Sequence, residues 1–151
     1  MNIKNISVKD IQSVIGMITD EFPYKGMSAE EMEKRIKGGK VFVFKTISGK
    51  KMTGFVDVEI TQNGKAIING ISVLPEYRRK AIGEKLMNHA IGFARKKGAK
   101  DVRLLVKVGN FPAKRLYKKV GFSFNRYFDR KIDNSIVEEM QILLNGNSDN
   151  Q

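Results

Sequence analysis

The chain has 151 residues, 41% hydrophobic and 29% charged, enough for one domain with a real core and too few for two ordinary ones. With no cysteine and a single histidine, His89, it can form no disulfide or thiolate site, and a histidine metal cluster or histidine triad is not expected. The net charge of +12 is uneven: residues 75–131 carry 17 Lys/Arg against four acids, and the remainder has 11 bases and 12 acids. That footprint suits a polyanion, whether nucleic acid, an anionic membrane surface or a multiply phosphorylated cofactor.

Residues 10–21 read as a first helix, with Ser7 or Asp10 near its cap, Ile11, Val14, Ile15 and Ile18 on one face, and Pro23 beyond its end. Ser28 followed by Glu31 forms a capping-box pattern that opens a short second helix ending at Gly38-Gly39, and both helices are expected to precede any strand. Residues 41–44 and 55–60 read as strands, the second alternating Val56, Val58 and Ile60 against Phe55, Asp57 and Glu59. Asn63-Gly64 is a hairpin signal leading into a third strand over 66–73. A long helix over 82–97 follows, with Ile82, Leu86, Ala90 and Phe93 on its apolar face and Gly98 at its end. Val102, Leu104, Val106 and Val108 alternate as a fourth strand, and a short helix carries Pro112 in its first turn and Gly121 at its stop. Strands near 122–130 and 136–144 complete a single mixed α/β domain over 1–144 with a largely antiparallel sheet, leaving 145–151 as a flexible tail. No stretch approaches the roughly 18 apolar residues of a membrane span and the N-terminus lacks a signal-peptide run, so a cytoplasmic protein is expected.

The junction Arg78-Arg79-Lys80-Ala81-Ile82-Gly83 leaves a strand and enters the long helix. Backbone N–H groups there lack partners and lie at the positive end of a helix dipole, so an anion fits, with Arg78, Arg79 and Lys80 adding charge. Neither a P-loop nor a dinucleotide-binding glycine fingerprint is present.

This junction resembles the Arg-x-x-Gly-x-Gly signature of the GCN5-related N-acetyltransferase (GNAT) family, with Arg78 first, Ala81 at the central glycine and Gly83 last. Asn110, Ala113, Leu116, Tyr117, Gly121 and Phe122 are similar to that family's second motif, in the same order. The likeness is sharp over 67–122, loose over 3–144, and closest in look to the branch that acetylates protein N-termini and ribosomal proteins. It implies an α+β fold: a mixed, mostly antiparallel sheet of about six to seven strands flanked by about four helices. It also implies acetyl-CoA as co-substrate, no metal, and a monomer or homodimer.

Carried onto this sequence, the resemblance makes Arg78, Arg79, Lys80, Ala81, Ile82, Gly83 and Glu84 the pyrophosphate loop. The backbone of Ile71, Ser72 and Val73 would align the pantetheine arm as an added strand, with Asn110 and Ala113 beside it. Tyr117 would act as general acid to the departing thiolate. A phenol near pKa 10 is roughly 2 kcal/mol short of protonating a thiolate near 8.5, so its expected work is to hydrogen-bond developing charge. Ala81 at a glycine position is expected to avoid positive φ, where a Cβ costs about 1 kcal/mol or more.

Relatives place a base where this chain has Leu105, or at 67–69, where it has Ile67, Ile68 and Asn69, and none of these accepts a proton. The remaining carboxylates are Asp57 and Glu59, with Glu59 the named base, or Glu138 and Glu139. A lysine amine is about 0.04% neutral at pH 7 and an α-amine about 10%, so a weak base favours a protein N-terminus. Asp57 and Glu59 speak for a small amine or polyamine instead. Phe22, Pro23, Tyr24, Tyr127 and Phe128 are candidates for the acceptor pocket. Two further readings are a non-catalytic acyl-CoA-binding module and, ranked last, a nucleic-acid or ribosome binder. His89 is expected to pack.

Overall fold

A computed structural model describes residues 2–144, so the expected tail 145–151 lies outside the described residues. Seven strands form one sheet: β1 (Ile3–Asn5), β2 (Val41–Ser48), β3 (Lys51–Ile60), β4 (Lys65–Val73), β5 (Asp101–Lys107), β6 (Ser123–Tyr127) and β7 (Val137–Leu143). Their order is β1-β2-β3-β4-β5-β7-β6, with β4 and β5 parallel and every other neighbour antiparallel. Four helices cover it: α1 (Ile11–Glu21), α2 (Ala29–Lys37), α3 (Ile82–Lys96) and α4 (Phe111–Lys119).

The local signals act as their chemistry requires. The Ser28 hydroxyl accepts from the Glu31 amide at 3.1 Å while the Ser28 amide donates back to the Glu31 carboxylate at 3.0 Å, starting α2. Gly121 stops the segment after α4 at φ 117, and a Cβ there would lie 2.7 Å from Ile142 Cδ1, so only glycine lets α4 turn onto β6. His89 packs its ring 4.5 Å from that of Phe44.

Two expectations fail for want of long-range information. A strand does precede the helices: β1 is three residues long and exists through its pairing of Ile3 with Thr46 and Asn5 with Phe44. The alternation of β3 does not separate a core face from a solvent face, because Val56 and Val58 are buried against α3 while Phe55 and Asp57 are buried under α1 and α2. Each face of the sheet has its own core, and burial of β3 on both sides makes it the rigid centre of the molecule.

One irregularity positions the site. Ile68 pairs with Val58 and Gly70 with Asp57, leaving Asn69 as an extra residue, a β-bulge in β4. Asp57 anchors it from beneath: its carboxylate accepts from Arg35 of α2 at 2.7 and 3.1 Å and from the Asn69 side-chain amide at 3.3 Å. No helix among the described residues is long and apolar enough to cross a membrane.

Candidate active site

The parallel pair β4/β5 holds together only from Lys65–Asp101 to Ile68–Leu104. Beyond the bulge, β4 stays on β3 through Val73, and β5 stays on β7 through Lys107. The two strands part, and between their free edges opens a cleft of about 910 Å³.

One rim of the cleft is the turn into α3. Arg79 has φ 65 and Ala81 φ 63, with Lys80 between them at negative φ. Ala81 in the left-handed region followed by helical Ile82 turns successive N–H groups toward one point, an anion nest continuous with the helix start. The N–H groups of residues 79–84 find no main-chain acceptor among the described residues. Gly83 lets α3 start tight against α4, since a Cβ there would meet Leu116 Cδ2 at 3.3 Å. The Ala81 expectation is therefore overturned: the nest needs positive φ at that position, and the chain adopts it with a Cβ at a cost of about 1–2 kcal/mol. Ala81→Gly should raise thermal stability by roughly 3 °C while coenzyme A affinity, read by calorimetry, holds or tightens; a lower melting temperature would show that the alanine is not strained.

Of the residues expected to hold the cofactor, Ile71, Ser72, Val73, Arg78, Arg79, Ala81, Ile82, Gly83, Glu84, Asn110, Ala113 and Tyr117 all line the cleft. Lys80 does not, because its ammonium sits 5.5 Å over the ring of Tyr77. Arg78 is turned away from the nest: it donates to the Val73 carbonyl and to Glu21, both at 2.8 Å. Positive charge near the nest is left to Arg79, Arg115 and Lys119, the last paired with Glu84 at 3.1 Å. Asn110 Oδ1 accepts from the Ala113 amide at 3.3 Å, capping α4, so its Nδ2 is the end free for a ligand.

Tyr117 is buried at the floor, its ring edge-on to Phe122 at 6.1 Å. Burial first, then the charges of Glu21 and Tyr24, push its hydroxyl up to about 12. That hydroxyl has no hydrogen-bond partner among the described residues and opens on the cleft.

None of the four carboxylates considered as base lines the cleft. Asp57 is paired with Arg35, and Glu59 accepts from Asn69 Nδ2 at 3.0 Å on the far side of the bulge; neither lines the cleft. Glu138 is held by Lys114 at 3.1 Å, which seats α4, and Glu139 by Asn125 and Arg126. The carboxylate that does face the cleft near Tyr117 is Glu21, the last residue of α1, accepting from the Ser72 hydroxyl at 3.1 Å and from Arg78. Sequence reasoning placed it only as a helix end; its position just before Phe22 and Tyr24 was the available signal.

At the other end of the cleft stand Phe22, Tyr24, Lys25, Leu105 and Lys107. Pro23, Tyr127 and Phe128 do not line it; Tyr127 packs on Phe124 instead. Burial lowers the pKa of Lys25, Asp57 opposing, and its ammonium donates to the Asn69 carbonyl at 2.8 Å. Among the described residues no group of three His, Cys, Asp or Glu is placed to hold a metal.

A sheet parted at its parallel pair, with an N–H nest at one rim and a phenol in the floor, offers room and donors for a long anionic ligand. The chain belongs to the acetyltransferase (GNAT) family, whose model matches residues 11–122. It is 40% identical over 74 residues, 48% of its length, to streptothricin acetyltransferase of Streptomyces lavendulae. It is 29% identical over 92 residues, 52% of its length, to the ribosomal protein bS18-alanine N-acetyltransferase of Escherichia coli strain K12. It spans 39% of the first protein's length and 62% of the second's. The fold is also that of the PaiA N-acetyltransferase of Thermoplasma acidophilum in complex with coenzyme A, with a TM-score of 0.77 at 21% identity over 95% of this chain and 100% of that one.

Proposed function

We propose that this protein moves an acetyl group from acetyl-CoA to a primary amine by direct attack, and that the amine is the α-amino group of a protein N-terminus. The observation that supports this most is the continuity of one cleft, from the free N–H groups of residues 79–84 along the parted edges of β4 and β5 to the unpartnered hydroxyl of Tyr117. When bound, acetyl-CoA supplies an activated acetyl thioester on a carrier with a pyrophosphate, and the residues present fit it. The nest and Arg79 would take the pyrophosphate, the edges of β4 and β5 the arm, and Asn110 Nδ2 would donate to that arm.

Tyr117 keeps its proton. With the hydroxyl at about 12 against a thiol near 8.5, full transfer to the leaving sulfur would be about 5 kcal/mol uphill. The hydroxyl instead donates a hydrogen bond where negative charge develops, which a dry site makes stronger. Glu21 receives the proton that the attacking amine sheds. An α-amine near pKa 8 is already about 10% neutral at pH 7, so a modest carboxylate base suffices.

The same geometry disfavours a polyamine. Asp57 and Glu59 are spent on Arg35 and Asn69, and Lys25 and Lys107 line the cleft where a second ammonium would have to lie.

An assay of free coenzyme A release tests the reading over peptides with free N-termini, N-terminally blocked lysine peptides and polyamines. Free N-termini should be acetylated at least about tenfold faster than the others. Coenzyme A binding without transfer to any amine would leave the binding-module reading standing. Glu21→Gln should lower kcat/KM roughly tenfold at pH 7, with the deficit shrinking toward pH 9 as the amine loses its own proton. A deficit independent of pH would remove Glu21 as base.

A further inference from the structure

The acceptor end of the cleft is electrostatically one-sided. Lys25 and Lys107 line it, and the carboxylate there, Glu21, is already held by Arg78 and Ser72. Lys107, the last residue of β5, places its ammonium 4.4 Å from the centroid of the Tyr24 ring and 2.9 Å from Asp133 Oδ2. It thus ties the segment between α1 and α2 to the loop between β6 and β7. The Asp133 turn is a tight two-residue one: Asp133 and Asn134 have φ 52 and 59, and Ile132 and Ser135 exchange main-chain hydrogen bonds at 3.0 and 2.9 Å across them.

The Asp133 side chain is 52% exposed, and an ion pair so open to water contributes only about 0–1 kcal/mol. Another carboxylate can take its place on Lys107 at little cost. An approaching amine therefore meets a docking point for an anion that is occupied by a weakly held internal mimic.

We propose that the acceptor is an anionic amine: a peptide N-terminus with an aspartate or glutamate among its first residues, whose carboxylate replaces Asp133 on the Lys107 ammonium. This rests on reading the cleft as an amine-acetylating site and adds the class of acceptor. Tyr24 links the two positions, since the Lys107 ammonium stands over its ring and its charge acts on the Tyr117 hydroxyl, and all three residues line one cleft.

The test compares peptides identical except for Asp, Asn or Lys as the second residue, together with free aspartate, by kcat/KM on the whole protein. The Asp peptide should exceed the Asn peptide about fivefold and the Lys peptide more than tenfold, with the gap narrowing as salt is raised. Lys107→Glu should invert the order of the Asp and Lys peptides. Asp133→Asn, which removes the competing charge and keeps a residue that tolerates the left-handed φ of 52, should raise the Asp peptide's kcat/KM severalfold. Equal rates for the three peptides within twofold, or an order unchanged in Lys107→Glu, would overturn this inference while leaving acetyl transfer intact. Free aspartate outpacing every peptide would overturn the peptide assignment, and no transfer to any amine would overturn the acetylation reading and this one with it.

Discussion

Replacing Tyr117 by phenylalanine is expected to lower kcat about a hundredfold while KM for acetyl-CoA changes by less than about twofold. The ring stays, so the contact with Phe122 and the burial of the floor are retained. On the role proposed for it, the hydroxyl is a donor to developing charge, and losing one such donor typically costs a factor of 10²–10³ in kcat. Because the hydroxyl has no partner among the described residues, its removal should leave stability unchanged or slightly higher. Stopped assays with saturating acetyl-CoA, paired with thermal melts, read both quantities. A rate within twofold of the parent would remove Tyr117 from the chemistry.

The same hydroxyl has a pH signature. Its folded pKa of about 12 lies above the unfolded value near 10, so between those values the folded state holds a proton that the unfolded chain has released. Below pH 10 both states are neutral and the group leaves stability unaffected, but as pH rises from about 10 to about 12 the fold loses about 3 kcal/mol relative to its neutral-pH stability. Tyr117→Phe should flatten that part of the alkaline stability curve.

Arg35→Leu is expected to destabilise the fold by about 3 kcal/mol, a fall in melting temperature on the order of 10 °C. Asp57 is buried beneath the sheet, and Arg35 supplies both short hydrogen bonds to its carboxylate. Removing one partner of a buried pair strands the other charge, which costs about 3–5 kcal/mol, more than the pair itself contributes. Partial exposure of Arg35 puts the expectation at the lower end. The double variant Arg35→Leu with Asp57→Asn should recover more than half of the loss, since the stranded charge is gone and the amide can still meet Asn69. Urea unfolding of the parent and both variants decides it: a double variant no better than the single would mean that Arg35 acts through packing alone.

Much of this was readable in the residues because the signals are local. The Ser28/Glu31 capping box, the Asn63-Gly64 hairpin, the helix over Ile82–Lys96 and the order of Asn110, Ala113 and Tyr117 depend on neighbours a few positions apart. What escaped depends on distant partners. The strand Ile3–Asn5 is too short to show a period, and the bulge at Asn69 is a matter of register between β3 and β4. Ala81 read as a residue that should avoid positive φ, whereas the nest imposes it. Glu59 stands as base in the sequence only by elimination, which gives no depth, and in the fold it lies behind the bulge. Glu21 enters the cleft only because α1 ends over the parted strands, a placement no period encodes.

The parting of β4 and β5 has a consequence for the life of the protein as well as for its chemistry. Along this seam the described residues show four registered pairs and the Lys100–Gly64 main-chain hydrogen bond, so local opening there should need less free energy than global unfolding. A ligand lying in the gap supplies the missing ladder and, at a hundred times its Kd, adds about 2.7 kcal/mol to the closed form. On the proposed function, a plentiful donor should stitch the seam and a scarce one should leave it open to proteases, so that limited proteolysis with and without coenzyme A should differ at this seam.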